Sequence, residues 1–224
     1  MFCRLFLILL CFLSLLSIPV ILSGCEPAPQ GSAEWYFTNA LKYAQQSDYQ
    51  RAIANYTDAI KVEPLLSKAY VNRAAAYISL GDYDNAIADC DKALSLNSKL
   101  PLAYVNRASA DNAKGNYDQA IQDCNKAIEL DYKISLSYVN RALAYNHKGD
   151  MAKSIADCNE AIEIDPNLPD SYYHRALAYE ALGKNDEALA DFNKVVSLDK
   201  NNSLIQAAQQ EIIKLSSPVQ TTNK

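Results

Sequence analysis

The sequence has few of the residues and motifs from which catalytic and metal sites are built. It has two histidines, His147 and His174, and neither has a Cys, Asp or Glu partner at a metal-ligand spacing. A glycine-rich phosphate loop, a nucleophile elbow and an HExxH motif are all missing. We therefore expect no enzyme, no metal or other cofactor, and no small-molecule substrate.

An excess of basic residues is missing as well. The 26 acidic residues outnumber the 21 Lys and Arg residues, and the formal net charge is −5. Nucleic-acid binding needs clustered Lys and Arg side chains against the phosphates, so a nucleic-acid partner is not expected. Hydrophobic residues make up 50% of the chain and charged residues 21%, which is enough apolar material for a packed core.

The first 24 residues differ from the rest in composition. One basic residue, Arg4, precedes an almost unbroken apolar run over residues 5–22. A positive start followed by an apolar middle is typical of a secretory signal peptide. A membrane-spanning helix is the alternative, because the run is near the lower length limit for one. Pro19 and the short basic start favour the signal peptide.

Residues 22–25, Leu-Ser-Gly-Cys, resemble the bacterial lipobox. The resemblance implies that the thiol of Cys25 receives a diacylglycerol and that a peptidase cuts before it. Residues 25–32 then form a lipidated tether, rich in proline and without bulky apolar side chains. We expect a cell-envelope protein, anchored on the outer face of the cytoplasmic membrane or in the outer membrane. Ordinary cleavage and an uncleaved anchor are the alternatives.

The rest of the chain repeats itself every 34 residues. The sequence AYVNRA occurs at residues 69–74 and 103–108, SYVNRA at 137–142 and SYYHRA at 171–176. A weaker copy, Glu-Trp-Tyr-Phe, begins at residue 34, and no insertion breaks the phase. This periodicity divides the chain into five repeats, at residues 33–66, 67–100, 101–134, 135–168 and 169–202.

These units resemble the tetratricopeptide repeat, whose period is 34 residues. Numbering each repeat 1–34, position 4 is always Tyr, position 8 always Ala, and position 15 is Gly except for Ser47. Position 11 is Tyr except for Asp111. The resemblance implies an all-α fold: an α-solenoid in which five helix–turn–helix repeats form a right-handed superhelix. Residues 203–215 fit a capping helix for the open end, and residues 216–224 a disordered tail.

Two further periodic features have structural interpretations. Cys90, Cys124 and Cys158 all occupy position 24, which faces the interior of the helix pair, so we expect buried free thiols. Arg at position 7 and Asp at position 23 are both missing from the first repeat, where Asn39 and Asn55 replace them. This joint loss favours an ion pair within each repeat over a ligand-binding role. The predicted structural pairs are Arg73 with Asp89, Arg107 with Asp123, Arg141 with Asp157, and Arg175 with Asp191.

In the tetratricopeptide family the first helix of each repeat lines a concave groove. The resemblance therefore implies an apolar stripe at position 5 beside a ladder of amides at positions 6 and 12, able to hold a peptide. The alternative is that the position 6 asparagines only serve helix packing. The expected groove residues are Val71, Asn72, Val105, Asn106, Asn112, Val139, Asn140, Asn146, Tyr173 and His174.

The function expected from these features is that of a membrane-anchored, extracytoplasmic scaffold that binds a segment of another protein in its groove. The alternative is a dedicated assembly factor of an envelope machine, similar to pilotins or to outer-membrane assembly lipoproteins. A subgroup of the family binds chaperone C-termini through a clamp of Lys, Asn and Arg. This chain has Phe37, Leu41, Leu102 and Asn106 at those positions, so chaperone-tail recognition is rejected.

Overall fold

The structure, a computed structural model, describes residues 28–198 and 204–216, and this part of the chain is helical without strands. The expected signal peptide, the expected lipidation site Cys25 and residues 217–224 of the expected tail lie outside the described residues. The helices are α1 (Ala33–Gln45), α2 (Tyr49–Val62), α3 (Ser67–Ser79), α4 (Tyr83–Leu96), α5 (Pro101–Lys114), α6 (Tyr117–Leu130), α7 (Ser135–Lys148), α8 (Met151–Ile164), α9 (Pro169–Ala181), α10 (Asn185–Leu198) and α11 (Ile205–Ser216).

The helices pack in the order of the chain, so the fold is the expected α-solenoid. Each odd-numbered helix from α1 to α9, called helix A below, packs on the next helix, called helix B, and helix B packs on the helix A that follows. Helices A of successive repeats from α3 to α9 also pack directly on one another, and the described helices B do not pack on each other to the same extent. Helices A therefore form the shorter, inner side of the stack, which is its concave face. Helix α11 covers α10 at the open end.

Local sequence explains where the helices begin and end. The side chains of Asp48, Asp82 and Asp150 each accept a hydrogen bond from the backbone N–H three residues later, at the start of a helix B. Pro101 opens α5, where the missing N–H costs nothing. Helix α5 is followed by the cap residue Gly115, whose φ of 82° is in the left-handed region that glycine adopts without strain. Ser47 occupies the same position of the first repeat with a φ of 58°.

Small residues allow the two helices of each repeat to approach closely. The alanines at positions 8 and 20 are fully buried wherever they occur, and the cysteines at position 24 lie beside them with no exposed surface. Cys90, Cys124 and Cys158 are free, as expected, and burial raises the pKa of each thiol to about 12. Because the thiolate is the reactive form, this environment makes the three thiols inert.

We expect that Ellman's reagent at pH 8 labels none of these three thiols while the protein is folded, because each is buried and protonated. All three should react at once after unfolding in guanidinium chloride. A non-reducing peptide map supplies the control. A disulfide between any two of them, or rapid labelling of the folded chain, would contradict the assigned register of the helices B.

The third repeat departs from the others at position 11. Asp111 stands where the other four repeats have a tyrosine, and it is 4% exposed. Asn116 donates a hydrogen bond from Nδ2 to Asp111 Oδ1 at 3.0 Å, and its side chain does not cap α6. Burial is the main cause that raises the pKa of Asp111 above its ordinary value of 3.8. The third repeat therefore holds a desolvated carboxyl group in a place built for an aromatic ring.

Replacing Asp111 with tyrosine should stabilise the protein by about 1–2 kcal/mol, because it removes a buried carboxylate and adds apolar contact. The buried residues around this place have the same types as those around Tyr77 in the second repeat: three alanines and one cysteine. The raised pKa of Asp111 means that the native chain loses stability as the pH rises above 3.8. Urea unfolding should therefore show a larger gain at pH 7 than at pH 4, and an equal or negative difference would refute this account.

Candidate functional site: the concave groove

The four arginines at position 7 act as clamps between helices. Nε and Nη2 of each donate to the two carboxylate oxygens of the Asp at position 23 of the same repeat, at 2.7–2.8 Å, so all four expected pairs form. Arg107 and Asp123 have side chains that are 20% and 4% exposed. None of these residues lines a cavity of the concave face. The pairs hold each helix A to its helix B.

Each of these arginines also makes a third side-chain hydrogen bond, which the sequence analysis did not predict. The Nη1 atom of each arginine donates to position 25 of the preceding helix B, at 2.5–2.9 Å. The sequence could have indicated this contact, because a side chain able to accept a hydrogen bond lies 16 residues before each arginine. One guanidinium group therefore joins three helices and two repeats. The acceptors are Thr57, Asp91, Asn125 and Asn159.

The valines at position 5 do not form the exposed stripe that the sequence predicted. Val71, Val105 and Val139 are only 7%, 3% and 4% exposed, and Val71 and Val139 pack against side chains of neighbouring repeats. Tyr173, at the same position of the fifth repeat, is partly buried against Phe192, with ring centroids 5.8 Å apart. The three valines therefore form no continuous exposed stripe, although Val71 still lines a cavity of about 210 Å³ together with Asn72 and Leu102.

The position 6 asparagines use their N–H groups inside the scaffold. Asn106 Nδ2 donates to the backbone oxygen of Val71 at 3.0 Å, and Asn140 Nδ2 to that of Val105 at 3.3 Å. These bonds join neighbouring helices A, as the packing alternative supposed. Asn72 instead bonds the Lys68 oxygen of its own helix. The side-chain N–H groups of these three asparagines therefore already donate hydrogen bonds within the folded chain.

The position 12 asparagines also join neighbouring helices A, in the opposite direction along the stack. Asn112 Nδ2 donates to the backbone oxygen of Asn140 and Asn146 Nδ2 to that of His174, both at 2.8 Å. The oxygen ends, Asn112 Oδ1 and Asn146 Oδ1, are buried and have no hydrogen-bond partner. Each of these two residues lines one of two adjoining cavities of the concave face.

The two cavities meet at Leu143 and His147, which line both of them. We call the combined depression the central groove. Its larger part, about 470 Å³, spans the second to fourth repeats, and its smaller part, about 330 Å³, spans the fourth and fifth. The larger part is lined by Ile78, Tyr83, Ser109, Asn112, Ala113, Tyr117, Asn140, Leu143 and His147. The smaller part is lined by Leu143, Asn146, His147, Met151, Tyr173, His174 and Leu177.

Several lining residues escaped the sequence interpretation because they lie on the first turn of helix B. Tyr83, Tyr117 and Met151 occupy position 17, and all three contribute to the lining of the groove. The rings of Tyr117 and His147 stack with centroids 4.6 Å apart and planes within 7°. The recurrence of tyrosine at position 17 of the first three repeats was the available signal.

The lining of the central groove has few groups that can carry a charge. None of the residues that line its two parts is Lys, Arg, Asp or Glu. Burial, and secondly the charge of His147, lower the pKa of His174 to about 4, so that this imidazole is neutral. The groove is therefore an apolar and amide surface.

The neutral state of His174 predicts a loss of stability in acid. Its pKa in the unfolded chain is about 6.5, so the unfolded state binds more protons as the pH falls from 6.5 to 4. The loss should be about 1–3 kcal/mol over this window, and absent above pH 6.5. Replacing His174 with asparagine, the residue at position 6 of the three preceding repeats, should flatten this part of the pH profile in urea unfolding. An unchanged slope in the variant would assign the effect to another group.

Comparison with protein families identifies the repeats. Models described as tetratricopeptide repeat match residues 67–100, 102–134 and 169–202, and a model described as TPR repeat matches residues 142–183. Together these matches cover more than half of the chain. The chain belongs to the tetratricopeptide repeat family. Among curated protein sequences, none matches it significantly.

Solved structures show the same fold. A thermophilic tetratricopeptide repeat protein from Thermus thermophilus superposes with a TM-score of 0.70 at 19% identity, over 81% of this chain and 99% of that one. MamA superposes with a TM-score of 0.59 at 26% identity, over 70% and 92%. YrrB, described as a tetratricopeptide repeat protein with an unusual peptide-binding site, gives 0.57 at 18% identity, over 80% and 92%.

Two other kinds of site are missing from the described residues. Across residues 28–198 and 204–216, His, Cys, Asp and Glu side chains nowhere gather in a group of three or more that could hold a metal ion. No helix in these two segments is long and apolar enough to cross a membrane.

Proposed function

We propose that this tetratricopeptide repeat protein is a binding scaffold that holds an extended segment of another protein in the central groove. The observation that carries the proposal is the continuity of the groove, which runs from the second to the fifth repeat. Leu143 and Leu177 are partly exposed on its floor and can receive apolar side chains. Buried contacts at the middle of an interface usually dominate binding, so Leu143 is the expected centre.

Site-specific photo-crosslinking in the native cells tests this proposal. A benzophenone amino acid at Leu143 should capture a partner, because this residue lies where the two parts of the groove meet. Leu182 is a matched control: it is a 51% exposed leucine at the end of α9, outside the groove lining. Crosslinks at Leu182 with none at Leu143 would refute the assignment of the groove. One stoichiometric partner would favour the dedicated assembly factor over a general adaptor.

The proposal includes a lipid anchor at Cys25 and a place in the cell envelope. Its support is the lipobox-like sequence after the apolar run, and a chain with several acyl groups would be held stably at a membrane surface. Replacing Cys25 with serine should leave an uncleaved precursor without lipid. Mass spectrometry of the native protein tests the anchor directly: an N-terminus other than acylated Cys25 would overturn it without affecting the groove.

A further inference from the structure

A pair of stacked rings lies in the larger part of the central groove. His147, at position 13 of the fourth repeat, stacks on Tyr117, at position 17 of the third, with ring centroids 4.6 Å apart and planes within 7°. One repeat earlier the same two positions hold Ala113 and Tyr83, which line the same part of the groove. Ala113 is exposed and supplies no ring to cover the tyrosine. We call the place between Ala113 and Tyr83 the Tyr83 site.

The two tyrosines pack against the same kinds of buried residues. Each ring lies on a cluster of three alanines and one cysteine, and the members of the two clusters occupy the same positions of the repeat. The cluster members are Ala74, Ala86, Cys90 and Ala110 beside Tyr83, and Ala108, Ala120, Cys124 and Ala144 beside Tyr117. Because the same neighbours in a close-packed interior leave the same space, they favour the same orientation of both rings.

An ion pair next to each tyrosine indicates that the helices around both places have the same register. Lys148 donates from Nζ to Asp118 Oδ1 at 2.6 Å, and these two residues directly follow the stacked rings in the chain. Lys114 pairs with Asp84 in the same way, and these two directly follow the residues of the Tyr83 site. A flat ring placed on Tyr83 would therefore lie where the imidazole lies one repeat later.

We propose that Tyr83 determines the specificity of the central groove by stacking face to face with an aromatic side chain of the bound segment. This inference rests on the proposed function, because it names a residue class of the segment that the same groove holds. The lining has no Lys, Arg, Asp or Glu, so the neutral rings of Phe, Tyr and Trp are complementary to it. Stacked rings attract each other more than their buried area alone accounts for, so the site prefers a flat ring to an aliphatic group of similar size.

Disulfide capture of two matched fragments tests this preference without the partner. Ser109 lies one helical turn before Ala113 on α5 and lines the same part of the groove, so Ser109→Cys places a thiol beside the Tyr83 site. This full-length variant in detergent is equilibrated with excess 2-mercaptoethanol and equal amounts of the disulfides of N-phenylacetyl-cysteamine and N-cyclohexylacetyl-cysteamine. The native thiols at position 24 are buried and protonated and do not compete. Peptide mapping should find the phenyl fragment on residue 109 about three to ten times as often as the cyclohexyl fragment.

A second substitution assigns the preference to Tyr83. Adding Ala113→His should place an imidazole on Tyr83 and make the capture of the two fragments equal. The matched control is Ser79→His, which makes the same change at position 13 of the second repeat, outside the lining of the groove. It should leave the preference for the phenyl fragment unchanged. Circular dichroism would establish that both variants are folded.

Two results would overturn the inference. One is capture of the cyclohexyl fragment as often as the phenyl fragment by the chain with Ser109→Cys alone. The other is a preference for the phenyl fragment that persists in the folded chain with Ala113→His. If that chain does not fold, the comparison of the two fragments on the Ser109→Cys chain decides. The crosslinks at Leu143 test the proposed function separately, because they depend on the partner and not on the ring.

Discussion

Replacing Arg107 with alanine should lower the free energy of unfolding by about 3–5 kcal/mol. The substitution leaves the carboxylate of the buried Asp123 without its two charge-assisted hydrogen bonds from Arg107. It also removes the hydrogen bond to Asp91, which joins the third repeat to the second. Urea unfolding followed by circular dichroism at 222 nm measures the change.

The first repeat supplies the control for this prediction, since it has Asn39 and Asn55 in place of the ion pair. A double variant with Arg107→Asn and Asp123→Asn should recover much of the lost stability, because no buried charge is left unpaired. Removing Arg51, whose side chain is 68% exposed beside Asp48, should have little effect. A double variant as unstable as the single one would show that the clamp matters for packing and not for charge.

Replacing Val105 with glutamate should destabilise the whole solenoid by about 3–5 kcal/mol, and should not act as a selective groove mutation. Val105 is 3% exposed, and the glutamate would bring a charge into this interior without a counter-ion. Thermal unfolding should therefore show a lower midpoint before any binding is measured.

Leu102 is the matched control, because it lies three residues earlier on the same helix and is 52% exposed. Replacing Leu102 with glutamate should leave the unfolding midpoint nearly unchanged, since surface substitutions usually alter stability by less than about 0.5 kcal/mol. If Val105→Glu melts at the same temperature as Leu102→Glu, position 5 is exposed after all, and the apolar stripe expected from the sequence would stand.

The cysteines and the valines show which kinds of burial the sequence pattern could and could not predict. Cys90, Cys124 and Cys158 are buried as the period predicted, because position 24 faces the partner helix within one hairpin and needs no knowledge of the next repeat. The burial of Val105 depends on how closely two helices A approach, and that distance is a property of the stack. The same limit hid Tyr117 of the groove wall, which lies at the start of a helix B and not on a helix A.

The sequence alone determined what depends on one hairpin: the 34-residue period, the Asp caps, the proline that opens α5 and the cysteines of the core. These features come from local backbone preferences and from the faces of two adjacent helices. Only the tertiary structure decided which side-chain oxygens of the asparagines lack a hydrogen-bond partner, which residue accepts the third hydrogen bond of each arginine, and which leucines line the groove. Those outcomes depend on the rotation and separation of successive repeats. The packing between neighbouring repeats determines this geometry, so the sequence of one repeat does not reveal it.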